Sequence, residues 1–445
     1  MTTETAVEQA LSRYENYSWN NAFVHVDADA VRAEATVARP GTLHGDLFSV
    51  KDLFAVAGVP TRGGSLVLDD FRPEVDATAV ARARRAGAVF FGKSNCAEFG
   101  FGIDTDTRLG GRVLHPTRDD LSPGGSSGGD AVAVATGIVD FAIAGDYGGS
   151  IRWPAQALGI FGLRPGVGNV PTYGRIGGLG ADRSAPIGLA RAPWRLASEL
   201  EVVGVMARSA GKIADVIGVL ADQQGHGEST GRVLVTDGSE IAPISDDVRT
   251  ALSSVVEWAR QGGLVVDPAD GLFADALEAY SELRAKLDDH ADVHELARGR
   301  EELLCGSTRA VLEAAPREVV VGSDVRDAWT TAMRVRRRIG DALRGYDAVI
   351  VPCAPTGAVG SAEEVQVGGR SLSGHQLMAH LRAVSLTGLA ALSMPVGHGD
   401  DGRPISVQLV GVPGTESRLC SLAERLASPN DSHLVGAGMN ERRRR

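Results

Sequence analysis

Residues 123–150 read PGGSSGGDAVAVATGIVDFAIAGDYGGS. Pro123 is followed by Gly124, Gly125, Ser126, Ser127, Gly128 and Gly129. No helix or strand interior accepts that composition, because glycine there costs about 1 kcal/mol relative to alanine. The segment is therefore a loop whose backbone bends sharply or approaches something closely. Asp130 to Ala135 then starts a helix, with Asp130 placed to favour the positive end of its dipole. Ile138 to Ala144 is an apolar run of the length of a buried strand. Asp146 to Ser150 forms a second glycine-containing turn. Loop, helix, strand and turn in that order point to an α/β fold.

The flanks agree. Leu47 to Val50 is a short apolar run that ends at Lys51 and Asp52. Ala77 to Arg85 is helix-like and is followed by the strand-like Ala88 to Phe91. Residues up to about Arg39 read as one or two surface helices. Asp246 to Arg260 places Val248, Leu252, Val255 and Ala259 on one face of an amphipathic helix. Leu264 to Val266, Tyr346 to Pro352 and Ile405 to Val412 read as strands, with an apolar stretch from Ser385 to Val396. Gly174 to Gly180 carries four glycines, and the irregular stretch on to Arg195 reads as a lid. The simplest organisation is an N-terminal helical segment over 1–40 and one large domain over 41–430, with a helical excursion at about 273–344. A polar, basic tail follows over 431–445.

Bulk composition narrows the class. Of 445 residues, 43% are hydrophobic and 23% charged, as expected of a globular chain with a large core. The net charge of −11 argues against a nucleic-acid surface, which needs clustered Lys and Arg. Cys96, Cys305, Cys353 and Cys420 are too scattered for a disulfide framework and fit a reduced, cytoplasmic protein. No run of about 18 apolar residues marks a membrane span. Lysine occurs only at 51, 93, 212 and 286. A site that keeps lysine in so arginine-rich a chain calls for an amine that can lose its proton, which arginine cannot do.

Ser49-Val50-Lys51-Asp52, the loop 123–129 and the turn from Gly145 to Pro154 together resemble the amidase signature family. Ser126 and Ser150 are 24 residues apart, as in that family. The likeness extends from about Gly45 to Arg425 and includes Gly87 to Phe99, Val203 to Ala210, Thr387 to Gly397 and Pro404 to Gly411. It implies a single α/β domain with a central mixed β-sheet flanked by helices. It also implies a Ser-cis-Ser-Lys triad. Ser150 attacks a carboxylic amide, Ser126 bridges the proton, and Lys51 serves as a neutral base whose pKa burial has depressed. Tyr147, Gly148, Gly149 and Ser150 are the expected backbone donors to the oxyanion. Ser127 is expected to bond near Lys51, and Asp146 and Arg152 to hold the loop.

The chain departs from the family's pattern at Asp130, Gly145, Tyr147, Ser406 and Arg164-Pro165-Gly166, which implies a substrate of its own. No cofactor or metal is implied. The expected partners are a small-molecule amide and, from family habit, a second copy of the chain, with no nucleic acid and no membrane. Two other readings share the scaffold: an acyltransferase that forms amides, and the glutaminase subunit of an amidotransferase. Weaker signals read as structural. His290 and His294 fit a solvated helix face better than a metal site, Cys353 a buried strand end, and Lys93 a structural position despite being the one rival base nearby. His375 and His380 carry no signal. Tyr147 and Trp153 hint at an aromatic pocket.

Overall fold

Apolar runs without polar alternation need cover on both faces, and the structure supplies it. The computed structural model describes residues 2–69, 71–176, 196–222, 229–288, 290–315 and 323–426. Its strands in chain order are β1 (Phe23–His25), β2 (Leu47–Lys51), β3 (Val89–Ser94), β4 (Asp106–Thr107), β5 (Gly111–Arg112), β6 (Phe141–Asp146), β7 (Phe161–Arg164), β8 (Val202–Ala207), β9 (Arg232–Val235), β10 (Val265–Pro268), β11 (Ala348–Pro352), β12 (Glu364–Val367), β13 (Arg370–Ser373), β14 (Ala390–His398) and β15 (Pro404–Gly411). One eleven-stranded sheet runs in the order β1-β3-β2-β6-β8-β7-β14-β15-β11-β9-β10. β4 with β5 and β12 with β13 form separate two-stranded ribbons.

The sheet is mixed, as the resemblance implies. β2 is parallel to both β3 and β6, and β9 is parallel to β10 and β11. The strands between β6 and β11 pair antiparallel. Every residue of β2, β3, β6 and β8 is buried. Phe48 of β2 lies opposite Phe141 of β6, and their rings stack at 5.3 Å between centroids. That register lines up the C-terminal ends of β2 and β6, where Lys51 and Asp146 stand.

Helices cover the sheet where periodicity placed them. The helix Asp246–Gln261 buries Val248, Leu252, Val255 and Ala259. The excursion consists of Ala276–Leu287, Ala291–Ala297, Gly306–Ala314 and Ser323–Ala342. Leu283, Val335, Ile339 and Val349 share one apolar cluster there, which ties the excursion to β11. The N-terminal part contains the helices Thr3–Asn16 and Ala28–Thr36, with β1 between them. The apolar stretch at 385–396 belongs to two elements. The helix Ala379–Thr387 stops at Gly388, whose φ of +71° favours glycine, and β14 begins after it. Most of the expected lid, residues 177–195, and the tail 431–445 lie outside the described residues. Among the described residues no helix is long and apolar enough to cross a membrane.

Candidate functional site

Lys51 is the last residue of β2, and its side chain is 1% exposed. Its Nζ donates to Ser126 Oγ and to Ser127 Oγ, each at 2.7 Å. The loop that brings the two serines there has a cis peptide bond between Gly125 and Ser126. Gly125 is required by close approach: a Cβ on it would lie 2.8 Å from the Asp104 carbonyl. Burial holds the Lys51 pKa below the ordinary lysine range, while Cys96, Asp130 and Glu201 pull it upward. No carboxylate forms an ion pair with this amine among the described residues.

Asp52 points elsewhere, as a neutral Lys51 requires. One of its carboxylate oxygens accepts from the backbone of Arg62 at 3.2 Å and of Gly64 at 3.0 Å. The other lies 3.6 Å from Lys93 Nζ, with both side chains fully buried. Lys93 also donates to the Phe54 carbonyl and to Thr61 Oγ1. Burial lowers its pKa to about 8. It touches none of the candidate serines, so geometry separates the two lysines. Asp130 is not a helix-end charge in solvent. It is fully buried, accepts from Ser49 at 3.0 Å and Ser94 at 2.6 Å, and burial pushes its pKa up to about 7.

The second turn wraps around Asp146. This carboxylate accepts from the N–H groups of Gly149 at 2.8 Å and Ile151 at 3.3 Å. It also pairs with Arg152 at 3.0 Å and Arg164 at 3.2 Å, all three side chains being fully buried. The two guanidinium groups hold the Asp146 carboxyl well below the usual carboxylate range against the effect of burial. Arg152 continues to Gln408 and Ser385, each at 2.8 Å. The turn that presents Ser150 is thus braced by β6, β7, β15 and the helix Ala379–Thr387.

One expected oxyanion donor is corrected by this geometry. The Gly149 N–H is spent on Asp146. Gly149 also has φ +123°, and a Cβ there would meet Met378 and Leu381 at 2.8 and 2.9 Å. It is a packing residue. The N–H groups of Tyr147, Gly148 and Ser150 have no hydrogen-bond partner among the described residues. Ser150 and Ser126 line the same cavity of about 360 Å³, together with Lys51, Tyr147 and Gly148. No hydrogen bond joins Ser150 to Ser126. Lys51 and Ser126 form one half of the expected relay, and Ser150 lines the same cavity.

Other walls of the cavity were not foreseen. Tyr280 and Arg284 come from the helix Ala276–Leu287, and Arg382 from Ala379–Thr387. Arg175 and Glu201 pair at 2.5 Å, and Arg284 pairs with Asp288 at 3.0 Å. Tyr147 does face the cavity, its hydroxyl donating to Asp288 at 3.2 Å. Trp153 does not: it packs with Cys353 and Met378, and its indole N–H donates to the Ile103 carbonyl at 3.1 Å. His290 is 9% exposed and packs on Phe101, so it is a cavity wall and not a solvated face. His375 lines the cavity as well. Burial pushes the Cys353 thiol up to about 12, which leaves no thiolate nucleophile there. Among the described residues no group of three or more His, Cys, Asp or Glu is placed to hold a metal.

Comparison with known proteins extends along most of the chain. The family model described as Amidase matches residues 5–420. A glutamyl-tRNA(Gln) amidotransferase subunit from Haloarcula marismortui is 30% identical over 431 residues, covering 88% of this chain and 96% of its own. A solved structure described as an amidase is 29% identical with a TM-score of 0.82, covering 96% of both chains. The peptide amidase in complex with chymostatin is 25% identical with a TM-score of 0.74, covering 96% of this chain and 94% of its own. The first of these relatives overturns an expectation. The charge of −11 argues against a nucleic-acid partner, yet the relative's name contains a tRNA. Net charge sums over the entire surface and says nothing about one face of it or about an assembly, so the exclusion does not stand.

Proposed function

The chain belongs to the amidase family, and from that premise we propose that it hydrolyses a carboxylic amide through an acyl-enzyme on Ser150. The observation that carries this reading is the buried Lys51 amine, with no ion-pair carboxylate among the described residues, at 2.7 Å from Ser126. A neutral amine there accepts the Ser126 hydroxyl proton and donates to Ser127. Ser126 in turn accepts the proton of Ser150 as that hydroxyl attacks the carbonyl. Hydrogen bonds of this kind tighten when substrate is present. The N–H groups of Tyr147, Gly148 and Ser150 take the developing oxyanion, each such donor contributing about 3 kcal/mol to the transition state. The proton then returns through Ser126 to the leaving amine. Water repeats the path and releases the acid.

Two destinations for the released amine are open to this chemistry. The relatives favour ammonia release in the manner of the amidotransferase, since this chain aligns with 96% of that protein. In that reading the substrate is a primary amide such as glutamine, and a partner delivers the ammonia to a tRNA-bound glutamyl group. A free-standing amidase is the second reading, favoured by the solved amidase of TM-score 0.82. The test is fluorophosphonate labelling of the purified chain, followed by ammonia assays with glutamine and with simple primary amides. Labelling confined to Ser150 and abolished in Ser150→Ala is expected. Labelling elsewhere, or none, refutes the acyl-enzyme. Glutamine turnover by the lone chain supports a glutaminase, and turnover only of other amides supports the free-standing enzyme.

A further inference from the structure

Three arginines reach the cavity, and their partners differ. Arg175 is paired with Glu201, and Arg284 with Asp288. Arg382 has no carboxylate partner among the described residues, and its Nε is buried without a hydrogen bond. The acids of the walls are already committed. Asp288 serves Arg284, the Tyr147 hydroxyl and His290, Glu201 serves Arg175, and Asp292 has interactions of its own. With Lys51 neutral, Arg382 is the cavity cation left without a carboxylate among the described residues. A guanidinium stays protonated in a protein. One removed from water with an N–H unsatisfied carries a desolvation cost that an anionic ligand would offset.

Its position suits a ligand held at Ser150. Leu381, the preceding residue, packs against Gly149 and gives its carbonyl to Arg152. The Arg382 Cγ would lie 3.6 Å from a Cβ on Gly148, so the side chain enters the cavity beside the oxyanion turn. Its guanidinium stands 5.7 Å from the centre of the Tyr280 ring, which holds it in place and leaves its edge for a planar, two-oxygen partner. Met378, one helical turn earlier, gives that side of the cavity an apolar wall. An apolar wall ending in a lone cation fits a short methylene chain ending in a carboxylate.

We propose that the substrate is the monoamide of a short dicarboxylic acid and that Arg382 binds its free carboxylate while Ser150 attacks the amide. This rests on Ser150 being the acyl carrier. The chemistry balances as ordinary hydrolysis: the amide C–N bond breaks, ammonia leaves with the relayed proton, and water completes the dicarboxylate.

The experiment compares malonamate, succinamate and glutaramate, each with its own diamide, by ammonia release from the intact protein. In each pair only the charge at the far end differs. For at least one chain length the carboxylate form is expected to have the higher kcat/KM by about 10- to 100-fold, the worth of a charge-assisted pair. Arg382→Gln is expected to bring that ratio towards one, mainly through KM, and Arg382→Lys to restore part of it. Fluorophosphonate labelling of Ser150 is measured on every variant, so that a damaged site is recognised separately. Absent labelling in the wild type overturns the underlying reading. Normal labelling with no preference at any length, with no turnover of any of the monoamides, or with a preference that survives Arg382→Gln, overturns the role of Arg382.

Discussion

Replacing Lys51 by methionine keeps the bulk of the side chain and deletes the amine, with two measurable consequences. The first is kinetic. Loss of a positioned base slows proton transfer by about 100- to 10,000-fold, so labelling of Ser150 by a fluorophosphonate should slow by that factor. The second is thermodynamic and independent of substrate. In the unfolded chain Lys51 titrates near its usual value of about 10.4. In the folded protein burial holds its pKa lower. Between those two values the unfolded chain carries one proton more than the folded one, so stability rises with pH by about 1.4 kcal/mol per unit. Below the folded value both states are protonated and the slope vanishes. Above about 10.4 neither is protonated and the gain is complete.

The variant lacks this slope. It also leaves Ser126 and Ser127 without their 2.7 Å partner, but that loss is a constant offset. Lys93 and Asp52 occur in both proteins and cancel. Urea unfolding of both proteins at a series of pH values up to about 10 should therefore show the wild type gaining on the variant, by up to about 1.4 kcal/mol per pH unit, once the pH exceeds the lowered Lys51 pKa. Parallel pH dependence, or labelling within tenfold of the wild type, refutes a neutral Lys51 acting as base.

Ser126→Ala should slow Ser150 labelling by about 100-fold or more, and Ser127→Ala by less, since Ser127 touches only the amine; the reverse order would make Ser127 the bridge. The wild-type labelling rate should rise with pH through a midpoint below about 10.4, because a protonated Lys51 cannot accept the relayed proton; a flat profile from about pH 5 to about pH 9 would count against a titrating amine. Asp146→Asn strands two buried guanidinium groups without countercharge and should cost about 3–5 kcal/mol in urea unfolding; a loss under about 1 kcal/mol would show that the turn does not depend on this ion cluster.

The proposed reacting groups were legible because their segments together resemble the amidase signature, whose residue types and local spacing are kept here. A glycine-flanked serine pair, a serine after a glycine turn and a rare lysine at a strand end stay visible in one dimension. The burial of Lys51 could be foreseen from the apolar run ahead of it. The fate of the Gly149 N–H could not, since it depends on which way the Asp146 carboxylate turns. Nor could Arg382, Arg284 and Tyr280, which sit on helices far along the chain and meet the serines only through tertiary docking. On a helix, an isolated arginine reads as a solvated charge, and only its missing partner in three dimensions marks it. The tRNA in a relative's name had no counterpart in composition at all.

The pairing of Lys93 with Asp52 bears on how this interior could be altered. Lys51 and Lys93 occupy neighbouring parallel strands, with Val50 opposite Lys93, and a single aspartate is shared out to one of them. Removing Lys93 would leave that carboxylate without its cation at the very strand end that bears Lys51. A stranded anion there would favour the ammonium form of Lys51 and leave less free amine at neutral pH. On this account Lys93 is expected to act as an electrical decoy, whose loss should slow the proposed reaction without touching it.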